Sequence, residues 1–239
     1  TPEQVEGDAM QLIKSGPASL WQQLGSSIDI NKWLNLPAGN LISESPMVVS
    51  FRDFLTPDLC QFFMVQARQN LQPAWNADPA NMRNYNAQVS SNSIAQIGLA
   101  DNEFIHLLVQ ERMSRACGMP QEQMEGMSIL HYLPGQEFSA HGDFFDPSES
   151  MGLQEITTLG QRNITFLIYL NDDYEGGETH FTELDIVHKG KAGEALYFVN
   201  VLPDGSGDQR TQHAGKTPVT GEKWLLSQYI RDRSLNFMK

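Results

Sequence analysis

Apolar positions change their period near the middle of the chain. In the first half they recur at helical spacing. Thr56-Pro57-Asp58 reads as a helix start, with Thr56 capping and Pro57 at the first helical position, followed by Leu59, Phe62, Phe63 and Ala67. A second helix is expected after Asp101, carrying Phe104, Leu107 and Leu108 to a stop at Gly118. Residues 76–100 between them are rich in Asn, Ser and Ala, which suits a long loop or short irregular strands near a functional mouth. The second half alternates. Ile164, Phe166, Ile168 and Leu170 interleave with Asn163, Thr165, Leu167 and Tyr169, predicting a strand whose two faces differ. Further strands are expected over 126–133, 195–201 and 223–230. They are separated by Pro134-Gly135, Gly176-Gly177, Pro203-Asp204-Gly205 and Thr220-Gly221. Helices first and short strands afterwards argue an α+β fold, a sandwich or jelly roll with helices packed on one sheet. No linker splits the chain. The expected division is an N-terminal helical extension over 1–45 and one domain over 46–239.

Composition narrows the function. The 239 residues include 29 acidic against 16 basic side chains, a formal charge of −13. A duplex-binding surface needs clustered Lys and Arg, and none is found, so nucleic acid is not an expected partner. The 40% hydrophobic content is enough for a packed core and excludes disorder as the default. There is no internal repeat and no apolar run near the roughly 20 residues that span a bilayer, so no membrane association is expected. The two cysteines, Cys60 and Cys117, read as small buried apolar groups in a reducing compartment, and the cytoplasm is the expected location. The opening TPEQVEGDAM has no signal-peptide pattern and no initiator Met, so the chain is read as processed or cut from something longer.

The chemistry begins at His141-Gly142-Asp143. In extended backbone, residues i and i+2 project to one side, so an imidazole and a carboxylate can converge on one metal. His213, 72 residues on, is the natural third ligand. Two His and one carboxylate on one face of an octahedral ion leave three positions open, the facial triad of non-haem Fe(II) oxygenases. The pattern alone is weak, because a surface His beside a hydrogen-bonded Asp produces it too.

Three ordered blocks around it carry more. The first is HYLPGQEFSAHGD over residues 131–143, the second RNITFLIYLNDDYEGGETHF over 162–181. The third is His213-Ala214-Gly215, followed by Pro218-Val219 and Gly221-Glu222-Lys223-Trp224. Together they resemble the prolyl 4-hydroxylase branch of the Fe(II)/2-oxoglutarate-dependent dioxygenases. The likeness covers residues 126–232, with a weaker extension back to about residue 46. It implies a double-stranded β-helix (jelly-roll) core over 126–232, supported by N-terminal helices. It also implies Fe(II), 2-oxoglutarate and O2 as cofactor and cosubstrates, with ascorbate as an aid to sustained activity. The implied reaction couples decarboxylation of 2-oxoglutarate to succinate with hydroxylation of an unactivated carbon. A retained Asp143 favours hydroxylation over halogenation.

By the same resemblance, His141, Asp143 and His213 hold the metal, and Lys223 binds the far carboxylate of 2-oxoglutarate with Tyr132 and Thr165 as hydroxyl partners. Phe138 stands where the family often has a second Tyr, so any hydrogen bond from that ring is lost. Trp224 and Tyr197 are expected as core or pocket lining. His106, His131, His180 and His188 are expected as satisfied structural residues, with His131 pointing opposite Tyr132. The implied substrate is peptidyl proline, with Arg83 and Tyr85 in a loop that could close over a peptide. Arg162 could contact an acidic ligand or pair with Asp172 or Asp173 at the surface. Hydroxylation of a free amino acid or small natural product stays open. A non-catalytic metal and 2-oxoglutarate sensor is set against Lys223, which such a sensor has no reason to keep. A zinc hydrolase is set against the lack of a Glu near the triad to act as base.

Overall fold

In the computed structural model, residues 33–74, 76–78, 81–84, 90–97 and 103–235 are described. The elements are β1 (Asn40–Glu44), β2 (Met47–Phe51), α1 (Pro57–Arg68), β3 (Gln72–Pro73), β4 (Asn76–Asp78), β5 (Asn81–Asn84), β6 (Ser93–Ile97) and α2 (Glu103–Cys117). They continue with β7 (Met127–Tyr132), β8 (Phe138–His141), α3 (Ser150–Leu159), β9 (Arg162–Tyr169), β10 (Glu175–Gly176), β11 (Thr179–Phe181) and β12 (Ile186–His188). The last are β13 (Ala195–Val199), β14 (His213–Gly215), β15 (Pro218–Thr220) and β16 (Lys223–Arg231). An eight-stranded antiparallel sheet has the order β1-β2-β13-β9-β16-β7-β6-β3, and a second sheet the order β12-β11-β14-β8.

The two-faced strand at 164–170 explains the layering. Ile164, Phe166, Ile168 and Leu170 pack with Phe63 and Ala67 of α1 and Val109 and Met113 of α2, forming the core between helices and sheet. Leu167 and Tyr169, on the other face, meet Leu196, Phe198 and Leu225 and close against Phe181 of the second sheet. Both faces of β9 are therefore buried, which is the jelly-roll arrangement: one sheet supported from behind by helices and covered in front by a smaller sheet.

The predicted helix boundaries hold. Thr56 Oγ1 accepts from Leu59 N at 3.4 Å, and Gly118 closes α2 with φ 74°. The strands over 126–133, 195–201 and 223–230 appear as β7, β13 and β16. Residue 45, the expected boundary, lies between two paired strands. It falls inside the β1–β2 hairpin, which adds two strands to the main sheet through β2 and β13. Trp33 is also in the core, with Arg112 over its ring at 4.6 Å. Residues 1–32 of the expected extension lie outside the described residues. α3 has no counterpart in the sequence expectations. Both cysteines are free thiols, Cys60 buried and Cys117 partly so.

Candidate active site: an iron triad above a buried lysine

The second sheet brings the two imidazoles together. β8 ends at His141, β14 begins at His213, and the two residues are directly paired in the ladder, with ring centroids 4.5 Å apart. Asp143 follows two residues later and closes the group, its Oδ1 3.5 Å from His141 Nε2 and its Oδ2 3.6 Å from His213 Nε2. One ligand atom from each residue lies within 4.8 Å of the others. Three donors around one ion at about 2 Å stand roughly 3 Å apart, so this set needs little movement to share a metal.

The tautomers are fixed from behind. His141 Nδ1 lies 2.8 Å from Ser139 O, and His213 Nδ1 lies 3.0 Å from Thr211 O. A carbonyl only accepts, so each Nδ1 carries a proton, which turns each Nε2 toward Asp143. Phe138 stacks on His141 at 3.7 Å, and Phe198 meets His213 edge-on at 4.8 Å. Burial pushes His213 down to about 4 against the pull of Asp143, so it is neutral at physiological pH. Burial acts to raise the Asp143 carboxyl, but the two imidazoles and the Thr165 hydroxyl outweigh it and hold the group far below the usual carboxylate range. His213 and Asp143 are thus in the protonation states that a divalent metal requires.

Below the triad lies an open pocket whose free space, its mouth to solvent included, is about 350 Å³. β16 and β7 line it by alternation: Lys223, Leu225, Ser227 and Tyr229 face in from β16, and Tyr132 and Leu130 from β7. Lys223 and Tyr132 are direct ladder partners, as are Trp224 and His131 one residue on. His131 does point away from the pocket, stacking on Trp224 at 4.0 Å and bonding Glu222 at 3.0 Å. Lys223 is fully buried, and its Nζ has no hydrogen-bond partner among the described residues. Its neighbours are ring faces, Tyr132 at 5.0 Å and Tyr169 at 5.9 Å from Nζ. Burial lowers it to about 7. An orphaned ammonium at the floor of a cavity is costly unless an anion arrives. A dicarboxylate that reaches from the metal to Lys223 fits that vacancy in hydrogen bonding.

Three expectations need correction. The Thr165 hydroxyl is directed at the metal ligand instead of the pocket floor, with its Oγ1 2.6 Å from Asp143 Oδ2. Thr179, whose Oγ1 is 2.7 Å from Tyr169 OH, is the threonine in the pocket lining. Thr179 follows the Gly176-Gly177 turn; alternation along β11 places it on the same side as core residue Phe181, which could have identified it. Arg162 does not pair with Asp172 or Asp173. It holds Glu125 through Nε at 2.7 Å and Nη2 at 2.9 Å and lies 3.6 Å over the Tyr229 ring. His180 sits in β11, an interior strand, and its Nδ1 has no hydrogen-bond partner among the described residues, so the expectation of a satisfied imidazole fails at that atom. Tyr229 and Ser227 were also missed, although the period-two pattern from Lys223 points to both. Trp224 and Tyr197 are core residues, and Gly177, with φ 69°, is at the turn predicted for it. The backbone of Arg83 is in β5; its side chain, and Tyr85, lie outside the described residues.

Comparison with known proteins agrees with this geometry. Residues 127–231 match the family model of the 2OG-Fe(II) oxygenase superfamily. The chain is 33% identical over 211 residues to probable prolyl 4-hydroxylase 9 of Arabidopsis thaliana, covering 81% of this chain and 71% of that protein. It is 29% identical over 230 residues to prolyl 4-hydroxylase 1 of the same plant, covering 86% and 80%. The viral collagen prolyl hydroxylase of Paramecium Bursaria Chlorella virus-1, solved with 2-oxoglutarate, shares the fold. Its TM-score is 0.59 at 21% identity, over 78% of this chain and 96% of that one. With the triad, the pocket and these relatives in hand, the chain belongs to the prolyl 4-hydroxylase branch of the Fe(II)/2-oxoglutarate-dependent dioxygenases.

Proposed function

We propose that this dioxygenase hydroxylates a prolyl residue within a peptide. The relatives that span most of this chain are named prolyl 4-hydroxylases, and that observation carries the substrate reading. Bound Fe(II) with 2-oxoglutarate and O2 supplies an oxidant able to attack an unactivated C–H bond. The chain's own residues have the remaining tasks. His141, Asp143 and His213 would hold the iron, and Lys223, Tyr132 and Thr179 would take the far carboxylate of 2-oxoglutarate. Phe138 and Tyr229 would wall the pocket and keep water from the reacting centre. Among the described pocket residues, Asp143 is the only carboxylate, so the base that a zinc hydrolase needs is missing.

The deciding experiment follows succinate formation under air with Fe(II), ascorbate and 2-oxoglutarate. Proline-rich peptides, free amino acids and no addition are compared, with His141→Ala as background. Peptide-stimulated succinate together with a 16 Da mass gain on proline supports the reading. Stimulation by a free amino acid alone moves the substrate to small molecules.

The position of Lys223 near pH 7 sets an expectation for cosubstrate binding. A dicarboxylate binds the ammonium form, and the free pocket loses that proton as pH rises through about 7. Affinity for 2-oxoglutarate should be highest below pH 7 and fall by up to about tenfold per unit above it, with proton uptake on binding. Titration calorimetry of the Mn(II)-loaded protein at pH 6.5 and 8.5 measures this, with Lys223→Arg expected to flatten the profile. Equal affinities at the two pH values in the unaltered protein contradict it.

A further inference from the structure

Asp143 is held from the opposite sheet by a hydrogen-bond chain whose direction is fixed. Asn200 is fully buried just past β13, with Nδ2 2.8 Å from Thr165 Oγ1, which in turn is 2.6 Å from Asp143 Oδ2. An ionised carboxylate has no proton to give, so Thr165 is the donor in the second link. That leaves its oxygen to accept from the Asn200 amide, which has protons to spare. Both residues are anchored by the main sheet: Thr165 is paired with Phe198, and Asn200 N donates to Asn163 O at 2.7 Å. The chain thus ties Asp143, two residues past the end of β8, to the centre of the large sheet.

A carboxylate can bind a metal through one oxygen or both. With two imidazoles, one carboxylate oxygen leaves three of six positions free, whereas two oxygens leave only two. A 2-oxo acid chelating through its keto oxygen and adjacent carboxylate would take two, and O2 would need one more. A short hydrogen bond to an ionised oxygen draws on its charge and occupies a lone pair, making that oxygen the weaker ligand. We propose that Asn200 and Thr165 are positioning residues that keep Asp143 a one-oxygen ligand and so preserve the third open coordination position. This rests on the iron reading of the triad and extends it to residues that touch neither metal nor cosubstrate. Thr165 acts through Asp143, and Asn200 acts through Thr165.

The test uses Co(II) in place of iron, so no turnover is needed. Visible absorption of the Co(II) protein reports coordination, and titration with 2-oxoglutarate reports whether two positions can be filled. Thr165→Val is expected to change the Co(II) spectrum and weaken 2-oxoglutarate binding by about tenfold or more, consistent with the usual loss when a ligand's hydrogen-bond partner is removed. Thr165→Ser, which restores the hydroxyl, should restore both. Should Thr165→Val melt below the assay temperature, Asn200→Ala reads the same shift in smaller measure, because it removes the donor that orients the Thr165 hydroxyl and leaves the hydroxyl in place. A folded Thr165→Val that matches the unaltered protein within about twofold in both readouts overturns the proposal, and so does failure of Thr165→Ser to recover either. Co(II) binding that is indifferent to His141→Ala overturns the iron reading itself, a result distinct from these.

Discussion

Replacing Lys223 by Met is expected to make the ligand-free protein more stable while destroying its response to 2-oxoglutarate. The lysine is fully buried without a hydrogen-bond partner among the described residues, and burial lowers it from 10.5 to about 7. A folded value below the unfolded one means that the folded state binds fewer protons. Its cost is complete below pH 7 and shrinks as pH rises from about 7 towards 10.5. At neutral pH the displacement corresponds to destabilisation on the order of 4 kcal/mol relative to a hydrated lysine. Met fills similar volume without a charge, so a gain of about 2 to 4 kcal/mol follows, or roughly 5 to 10 °C in melting temperature for a chain of this size. The same change leaves an arriving carboxylate buried and unpaired, which costs about 2 to 5 kcal/mol and weakens 2-oxoglutarate by roughly 1.5 to 3.5 orders of magnitude. Melting curves of the ligand-free protein at pH 6 and 9, set beside cosubstrate binding, check both halves. The stability advantage should be larger at pH 6. A variant that is less stable at both pH values, or one that still binds 2-oxoglutarate normally, removes Lys223 from the role assigned to it.

That opposition between stability and function explains why the site was legible before its surroundings. His141, Asp143, His213 and Lys223 stand at fixed short spacings inside three motifs, and strand alternation alone orients Lys223 and Tyr132 to one side. Long periodic segments were legible for the same reason: β9 and β16 have eight and nine residues, enough for a period to show. The five-residue strands of the β1–β2 hairpin do not. α3 contains Gly152, Thr157 and Thr158, poor helix formers, and is fixed by tertiary contact: Gly152 lies so close to Asp146 that a Cβ would fall 2.0 Å from its carbonyl oxygen. Thr165 and Arg162 were misassigned because their partners are remote in sequence. Asp143 lies 22 residues from Thr165, and Glu125 lies 37 from Arg162. Reading Arg162 from its neighbours offered Asp172 and Asp173; only the sheet register brings it beside Arg231, and two adjacent cations need a shared anion.

Glu125 is that anion, and Glu125→Gln is expected to be the most destabilising single exchange of a charged residue considered for this fold. Its Oε1 accepts from Arg162 Nε at 2.7 Å and Arg231 Nε at 2.5 Å, and its Oε2 from Arg162 Nη2 at 2.9 Å. Arg231 is only 2% exposed, and both guanidiniums pack against Phe145 at 4.9 Å. Burial acts to raise the Glu125 carboxyl, but the two arginines outweigh it and hold it below its ordinary value. Its stabilisation is therefore present above the unfolded carboxylate value near 4.5 and lost as pH falls through the lower folded one. Gln keeps the shape but removes the charge, leaving two poorly hydrated cations side by side. The cost of breaking such a buried arrangement is about 3 to 5 kcal/mol, or roughly 10 °C in melting temperature. Glu155, the second acidic partner of Arg231 at 3.0 Å, is 38% exposed, and Glu155→Gln should cost under about 1 kcal/mol. Arg162 also covers the face of Tyr229, a pocket wall, so Glu125→Gln should raise the peptide KM before the protein unfolds, whereas Glu155→Gln should leave it unchanged. Urea denaturation at pH 7 separates the two variants. Similar losses for both, or a Glu125→Gln loss below about 1 kcal/mol, would show that the arginines are hydrated well enough to do without their shared carboxylate.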